Sequence, residues 1–274
     1  MISGERFRCD PAAGRDIVKI MHGVLVAFFC FVLALPACGT AETQSSEKPI
    51  DLDDYDRMRG LLVETIRENV RATAQRTGVS EIDASVMDAM GAVPRHEFVP
   101  DPLRKLAYLD IPLPLGHQQN ISQPFLVALM THLAKVGKQD VVFETGTGAG
   151  YQAAILARLA QKVYSVEVVP PLADAAADRL KKLGYAQIEV KRGDGYYGWA
   201  EKGPFDVILV KEAVHHIPPP LLNQMKPGGR MVVPVGPLDQ MQVLKLVTKD
   251  ADGRITQRDI LPVRFAPLQG GERI

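Results

Sequence analysis

Hydrophobic positions along the chain change their period near residue 140. Between Tyr55 and Ala74 apolar residues recur at helical spacing, which predicts an amphipathic helix that ends at Gly78. Ser80 is expected to begin a second helix, and the proline-rich segment 93–102 (VPRHEFVPDP) is expected to be irregular. Pro124–Ala134 predicts a third helix, because a proline in the first turn costs no hydrogen bond.

Beyond residue 140, short apolar runs alternate with helical segments. The predicted strands are Asp140–Glu144, Val163–Glu167, Ile188–Lys191, Phe205–Val210 and Arg230–Val235, and the predicted helices are Tyr151–Ala160, Pro171–Leu183 and Pro219–Met225. Gln242–Thr248 and Ile255–Val263, around Asp252-Gly253, predict an antiparallel hairpin. The pattern therefore predicts an α/β fold, a doubly wound and mostly parallel sheet with helices on both faces, after an N-terminal helical segment.

The first 52 residues have a different pattern. Val24–Leu35 is an uninterrupted apolar run of 12 residues that follows Arg15 and Lys19. Such a run has the length of a signal-peptide hydrophobic region and is short for a membrane span. Leu35-Pro36-Ala37-Cys38 resembles a bacterial lipobox, in which the cysteine is lipidated. We therefore expect a signal peptide over 1–38 with Cys38 as the lipidation site, a linker over 39–52 and a folded domain over 53–274.

This interpretation places the protein in the periplasm, either free or anchored to a membrane by its N-terminus alone. Two alternatives remain open at this point. The apolar run would be a buried core helix in the first, although the polar composition that follows it favours a linker. In the second, the start is misassigned, Met21 being one other candidate, and the protein is cytoplasmic.

Composition excludes several classes of function. Basic and acidic residues balance at 32 each, so the chain lacks the basic excess of a nucleic-acid-binding protein. The cysteines are Cys9, Cys30 and Cys38, which leaves the domain 53–274 without a disulfide framework, a cysteine nucleophile or a thiolate zinc site. His215 and His216 are adjacent, but no further ligands stand near them at metal-binding spacing, so no metal is predicted.

A glycine-rich loop, FETGTGAGY at 143–151, lies between a predicted strand and a predicted helix, where ligand-binding loops occur. Its glycines are Gly146, Gly148 and Gly150. A dinucleotide site requires G-x-G-x-x-G, but the sixth position here is Tyr151, and no Gly-Lys-Ser/Thr of a P-loop follows. The spacing therefore favours a ligand without a pyrophosphate.

Two acidic residues are predicted to share the ligand site with this loop. Glu167 ends the next strand, 21 residues after Gly146, where a carboxylate can accept both hydroxyls of a ribose. Asp194, followed by Gly195, comes just after the third strand and is a candidate for the adenine amino group. The carboxyl ends of these strands converge at one edge of the sheet. Together they predict S-adenosylmethionine as the cofactor, whereas ordinary turn glycines and surface acids would explain each feature only singly.

The polar stretch GHQQNISQPF at 116–125 contains one hydroxyl, Ser122, directly before a predicted helix. The stretch is predicted to be a polar loop. Ser122 is well placed to cap the helix, and the same position would aim its hydroxyl toward a ligand bound beyond the strands. Both roles remain open from the residues alone.

With these motifs in order, the chain from about Gly60 to its end resembles the protein-L-isoaspartate O-methyltransferases. The resemblance includes AVPRHEFVP, VYSVEV, GDG, PFDVILV and RFAPL, and its most specific part is Asn120-Ile121-Ser122-Gln123-Pro124, which matches the family's T-I-S-Q-P. It implies a class I, Rossmann-like S-adenosylmethionine-dependent methyltransferase fold for 53–274. It also implies methyl transfer to the α-carboxyl of isoaspartyl residues in proteins and peptides, by a chain that we expect to be monomeric.

The resemblance also implies roles for individual residues. Ser122 matches the catalytic serine, and Gln123 is expected to assist in binding the substrate. The expected cofactor-binding residues are Asn120, Ile121, Glu144, Gly146, Thr147, Gly148, Gly150, Glu167, Asp194 and Gly195. Lys211-Glu212 departs from the family, which commonly has small residues there. Lys211 is a candidate to bind the acceptor carboxylate, and equally a candidate to bridge Glu212 or another neighbouring residue.

The predicted reaction suits these residue types, because a carboxylate is already ionised at neutral pH and needs no general base. Two alternative functions remain open. One is a related carboxyl or small-molecule methyltransferase whose acceptor site is altered at Lys211-Glu212. The other is a non-catalytic protein that binds the cofactor or peptides, although Ser122, Glu167 and Asp194 would have no reason to occur together in it.

Overall fold

The structure is a computed structural model, and it describes residues 54–271. The signal peptide predicted for 1–38, its candidate lipidation site Cys38 and the linker predicted for 39–52 lie outside the described residues. No helix within residues 54–271 is both long enough and apolar enough to cross a membrane.

Nine strands within residues 54–271 belong to two sheets. In chain order they are β1 Leu113–Gly116, β2 Gln119–Ile121, β3 Val141–Thr145, β4 Lys162–Glu167, β5 Ile188–Arg192, β6 Phe205–Leu209, β7 Met225–Val235, β8 Gln242–Lys249 and β9 Ile255–Val263. The main sheet has the order β5-β4-β3-β6-β7-β8-β9. Its first five strands are parallel, and β8 and β9 are antiparallel. The predicted mostly parallel sheet and C-terminal hairpin are therefore confirmed.

The helices pack around this sheet. They are α1 Tyr55–Thr77, α2 Ala84–Ala92, α3 Pro124–Leu133, α4 Tyr151–Ala157, α5 Pro170–Lys182 and α6 Pro219–Asn223, with short 3-10 helices at Arg95–Phe98, Asp101–Leu106, Gly195–Tyr197 and Ala200–Lys202. The first helix confirms its prediction, because its apolar spacing buries Met58, Leu62, Ile66 and Val70. Gly78 ends it in the left-handed conformation, with φ of 69°.

The central strands are buried on both faces. In β6, Val207 and Leu209 belong to one apolar cluster and Ile208 to another. In β3, Val142 and Phe143 divide between the same two clusters. Successive side chains of a strand point to opposite faces, so a nearly continuous apolar run indicates a strand covered on both sides. The carboxyl ends of these strands therefore form a fixed platform for polar side chains.

Two boundaries differ from the prediction. The second helix begins at Ala84, not at Ser80: its N-cap residue Asp83 has ψ of 135°, outside the helical range, and its N–H donates to His132 Nδ1 at 3.1 Å. Strand β7 begins at Met225, five residues before the predicted start at Arg230. Both differences come from tertiary contacts that the local pattern does not contain.

The prediction of a polar loop at 116–125 is partly wrong, because β1 and β2 form a small antiparallel hairpin there. Leu113 pairs with Ile121, and both side chains are buried. The turn places His117 and Gln118 at φ of 52° and 58°. Positive φ at two successive residues gives the twist that tight hairpins favour, but His-Gln lacks the usual Asn-Gly signal. The hairpin brings Ser122 to the sheet.

Candidate active site

A cleft of about 400 Å³ lies at the carboxyl ends of the central strands. The predicted site residues that line it are Asn120, Ile121, Ser122, Gln123, Gly146, Thr147, Gly148, Glu167 and Lys211. Gly195 lines a small adjoining cavity, of which Gly146 and Glu167 are also walls. Glu144, Gly150 and Asp194 line neither space. The structure therefore brings most of the predicted residues together from four separate segments of the chain.

The glycine loop approaches the cleft through backbone that other residues rarely adopt. Gly146 and Gly148 have φ of 58° and 55°, in the left-handed region. The N–H of Gly148 donates to Glu167 Oε2 at 2.8 Å, which ties the loop to the end of β4. The hydroxyl oxygens of Thr147 and Ser165 lie 2.6 Å apart beneath it. These hydrogen bonds hold the loop in place. Because its glycines have no side chains, another group can pack closely against its Cα atoms.

Glu167 has the geometry expected of a residue that binds a ribose. Its side chain is buried, and its two carboxylate oxygens accept hydrogen bonds from the backbone N–H groups of Gly148 and Val169, at 2.8 and 2.9 Å. Each carboxylate oxygen has a second lone pair, so each can also accept a ligand hydroxyl. The residue lines both cavities, and it therefore fits the nucleoside part of S-adenosylmethionine.

Asp194 lies beneath a C-terminal segment, residues 264–271. Its Oδ1 accepts the N–H of Tyr196 at 2.9 Å. A Cβ atom built on Gly270 would lie 1.7 Å from Asp194 Oδ2, so the backbone of the segment packs directly on the carboxyl group. The segment is also paired with Ala213, which donates to the carbonyl of Ala266 at 2.8 Å. The segment forms a wall of the site, and binding of adenine by Asp194 stays a prediction.

Ser122 does not cap the helix that follows it. The N-cap residue of α3 is Gln123, without a side-chain capping bond. Instead the carboxylate of Asp110 accepts the N–H of Phe125 at 2.7 Å and the side-chain amide of Gln123 at 3.1 Å. Within residues 54–271 the Ser122 hydroxyl makes no hydrogen bond, and the residue lines the cleft. Its hydroxyl is therefore available to a ligand.

Arg95 supports this segment, although the sequence analysis did not single it out. The side chain is fully buried and donates to the carbonyls of Ala107 and Ser122, each at 2.9 Å. Its guanidinium carbon lies 4.8 Å from the ring centroid of Tyr151, and burial lowers the pKa of Arg95 to about 10. An arginine between two prolines was the available signal, but only the fold shows which carbonyls it holds.

Lys211 is paired with a buried carboxylate. Its Nζ lies 3.0 Å from Glu144 Oε2, and Ser165 donates to the other oxygen, Oε1, at 2.8 Å. Burial raises the pKa of Glu144, against the opposing effects of Lys211 and Ser165. Of the two roles considered for Lys211, bridging a neighbouring acid is what the structure contains. Contact with an acceptor carboxylate stays a prediction, as does the cofactor role of Glu144.

Glu212 is a wall of the cleft that the predicted set did not include. Its Oε2 accepts a short hydrogen bond from the Thr145 hydroxyl, whose oxygen in turn accepts the N–H of Lys211 at 3.1 Å. A Cβ atom on Gly146 would lie 1.5 Å from Glu212 Oε1. Burial raises the pKa of Glu212 to about 7. Its place directly after Lys211 was the only signal in the sequence.

The histidine pair does not form a metal site within the described part of the chain. His216 Nε2 lies 3.2 Å from the hydroxyl of Tyr196. Across residues 54–271, no three His, Cys, Asp or Glu side chains are grouped so that they could hold a metal ion.

Comparison with known proteins identifies the family. Residues 66–273 match the family model described as protein-L-isoaspartate(D-aspartate) O-methyltransferase. The chain belongs to this family. It is 54% identical over 219 residues to protein-L-isoaspartate O-methyltransferase 2 of Syntrophobacter fumaroxidans, covering 80% of this chain and 89% of that protein. Against protein-L-isoaspartate O-methyltransferase 1 of Cupriavidus necator the identity is 48% over 260 residues, covering 95% of each chain.

Solved structures of the protein-L-isoaspartate methyltransferases share the fold. One of them superposes with a TM-score of 0.67 at 30% identity, covering 77% of this chain and 66% of that chain. A putative member from Plasmodium falciparum, in complex with S-adenosyl-L-homocysteine, gives a TM-score of 0.62 at 23% identity, covering 76% of this chain and 98% of that chain. The predicted class I methyltransferase fold is therefore confirmed.

Proposed function

We propose that this chain transfers a methyl group from S-adenosylmethionine to the α-carboxyl group of L-isoaspartyl residues in damaged proteins and peptides. The observation that supports it is that Ser122, the glycine loop and Glu167 line one cleft in a member of this methyltransferase family. The methyl ester favours closure of a succinimide and its opening to normal aspartate. The reaction is therefore a repair of damaged protein.

The residues present fit the methyl donor. When bound, S-adenosylmethionine supplies a methyl group on a sulfonium that leaves as a neutral thioether. Glu167 is proposed to accept its ribose hydroxyls, and Asp194 with Gly195 to contact its adenine. Gly148 has no side chain and allows close approach of the backbone, while the side-chain position of Gly146 is taken by Glu212 Oε1. Asn120, Ile121 and Thr147 lie on the same cleft wall and are proposed as further contacts.

The acceptor is proposed to bind between Ser122 and Gln123. Its carboxylate is ionised at neutral pH, so these residues do not need to remove a proton. Their task is to orient one carboxylate oxygen, for which the Ser122 hydroxyl and the Gln123 amide are hydrogen-bond donors. Alignment of the reacting atoms and exclusion of water then supply the acceleration. Arg95 and Asp110 hold this segment in place and act only through it.

A paired-peptide assay tests this function. The full chain is incubated with methyl-labelled S-adenosylmethionine and with two peptides that differ only in an isoaspartyl or an aspartyl residue. Base-labile label on the isoaspartyl peptide alone supports the proposal. Binding of the cofactor without transfer would instead support a non-catalytic binding protein. Transfer to neither peptide, but to a component of a cell extract, would support an acceptor site altered at Lys211.

We propose further that the chain is exported, that Cys38 is lipidated and that the enzyme is a monomer. The apolar run before a lipobox-like Leu35-Pro36-Ala37-Cys38 supports export. Labelling with a radioactive fatty acid should modify the chain and fail with Cys38→Ala, while Cys30→Ala serves as the matched control. Unlabelled wild-type protein in the cytoplasmic fraction would contradict export. Light scattering on the folded domain tests the monomer.

A further inference from the structure

The carboxyl group of Glu212 lies where two cavities meet. The main cleft and the small adjoining cavity share Glu212, Gly146 and Glu167 as walls. Ser122 lines only the main cleft and Gly195 only the small cavity. A ligand with its adenine near Gly195 and its methyl group near Ser122 would pass along the wall that Glu212 shares with Gly146 and Glu167. Glu212 therefore lies close enough to contact a group of such a ligand.

The carboxyl group is held against the glycine loop. With a hypothetical Cβ of Gly146 only 1.5 Å from Glu212 Oε1, the loop can take this path only because residue 146 has no side chain. The Thr145 hydroxyl donates to the other oxygen, Oε2, and its own oxygen is engaged by the N–H of Lys211. The hydroxyl hydrogen is thereby directed toward Glu212. Oε1 is directed at Gly146 of the loop, and the residue lines both cavities.

Within residues 54–271, Glu212 forms no ion pair with a basic side chain. Lys211 is instead paired with Glu144, whose Oε2 lies 3.0 Å from Nζ. Glu167, on β4, adds a second negative charge to the same wall. Arg264 of the C-terminal segment faces the main cleft. Three residues of the same segment, Pro267, Leu268 and Gln269, line the small cavity, and all three are uncharged. The wall beside the loop therefore favours a cationic ligand group.

We propose that the Glu212 carboxylate binds the α-ammonium group of the methyl donor, an inference that rests on S-adenosylmethionine as the cofactor of the proposed function. The donor has two cationic groups, a sulfonium and an ammonium. An ammonium carries three N–H donors that match the lone pairs of a carboxylate. The sulfonium carries none, and a carboxylate beside its methyl group would be the same kind of nucleophile as the substrate. Glu212 is thus a specificity-determining residue for the amino-acid end of the donor.

This assignment makes binding of the methyl donor depend on pH. The pKa of Glu212 is raised to about 7, mainly by burial and further by the neighbouring carboxylates of Glu167 and Glu144. The hydrogen bond from Thr145 and the charge of Lys211 act in the opposite direction. The ionised carboxylate accepts from an ammonium group much more strongly than the protonated carboxyl group does. Between pH 6 and pH 8 the ionised fraction rises about tenfold for a pKa near 7. Binding at pH 6.5 should accordingly release a proton.

Calorimetry on the full chain with two ligands tests the role. S-adenosylhomocysteine has the α-ammonium group, and methylthioadenosine lacks the whole amino-acid end. At pH 8, Glu212→Gln should raise the Kd for S-adenosylhomocysteine about 10- to 100-fold, as expected for loss of a hydrogen bond between charged groups. The Kd for methylthioadenosine should change less than about twofold. Glu201→Gln, an exposed glutamate that lines neither cavity, is the matched control and should affect neither ligand.

A second measurement on the unaltered protein does not depend on the variant. Titration in two buffers of different ionisation enthalpy should show proton release at pH 6.5 and about tenfold tighter binding at pH 8 than at pH 6. Both effects should vanish in Glu212→Gln. Equal weakening of both ligands, or binding independent of pH in the unaltered protein, would overturn the role of Glu212. So would a methyl ester on Glu212 after incubation with the donor alone. If the unaltered protein bound neither ligand, the cofactor assignment would fail instead.

Discussion

Replacement of Lys211 by methionine removes one partner of a buried ion pair and keeps most of the side-chain volume. The Glu144 carboxyl is fully buried, and the Lys211 side chain is only 8% exposed. In the variant, Glu144 keeps a single hydrogen bond, the one from the Ser165 hydroxyl at 2.8 Å. The change therefore isolates a carboxyl group in the core beneath the glycine loop.

The expected loss is about 3–5 kcal/mol in the free energy of unfolding at pH 8, because a buried charge without its partner keeps the full cost of desolvation. The surface pair of Lys245 and Asp259, with side chains 21% and 65% exposed, provides the contrast. There Lys245→Met should cost about 0–1 kcal/mol. The double variant Lys211→Met with Glu144→Gln should recover most of the lost stability, since neither charge of the buried pair remains.

The loss should also depend on pH. Burial already raises the pKa of Glu144, and without Lys211 it rises further, because one of the groups that lower it is gone. A carboxyl group whose pKa is higher in the folded state binds a proton more readily there than in the unfolded chain. Stability then falls as the pH rises above the unfolded pKa. The variant should therefore lose less at pH 5.5 than at pH 8.

Urea unfolding followed by circular dichroism at both pH values measures these differences, with calorimetry to check that the transition is two-state. The reasoning would be refuted by a loss below about 1 kcal/mol at pH 8, the range of an exposed pair. A loss of the same size at both pH values would also refute it, because an isolated carboxylate must become easier to bury as it is protonated.

The remaining predictions concern the cleft and its supports. Ser122→Ala should lower kcat about 10- to 100-fold with the Kd for S-adenosylhomocysteine unchanged; an unchanged kcat would exclude a role in the reaction, and the exposed Ser80→Ala is the control. Gly146→Ala should weaken S-adenosylhomocysteine at least about tenfold and destabilise the fold by about 1–2 kcal/mol, because φ is 58° and Glu212 Oε1 fills the space. Gly60→Ala, in α1 with nothing within 4 Å of the added Cβ, should be neutral or stabilising. Arg95→Lys should lower kcat and cost about 2–4 kcal/mol in urea unfolding, since the carbonyls of Ala107 and Ser122 lose donors; full activity would contradict a supporting role. A chain that begins at residue 53 should unfold at the same urea concentration as the full chain, whereas one that begins at residue 78 loses α1 and should fail to fold.

The features that could be predicted from the sequence are those with local signals. Strands with apolar runs and helices with apolar spacing identify the sheet, because each pattern follows from burial on two faces or one. The glycine loop and Glu167 could be placed together because carboxyl ends of parallel strands meet at one edge. Their contact is direct, from Gly148 N–H to Glu167 Oε2 at 2.8 Å.

The features that could not be predicted depend on residues far apart in the sequence. Arg95 holds the carbonyl of Ser122, 27 residues away. Asp110, and not Ser122, accepts the first backbone N–H of α3, that of Phe125. The ion pair of Lys211 with Glu144 and the contact of Glu212 with Gly146 both cross from β6 to β3. Local spacing contains no information on which of several nearby acids a lysine will meet.

The C-terminal segment has a consequence for how the enzyme is made. The seven-stranded sheet is complete at Val263, and residues 264–271, which pair with Ala213 and pack on Asp194, leave the ribosome after it. A nascent chain that folds from its N-terminus therefore completes its sheet before its ligand site. We expect removal of residues 264–271 to change ligand binding while the sheet stays intact.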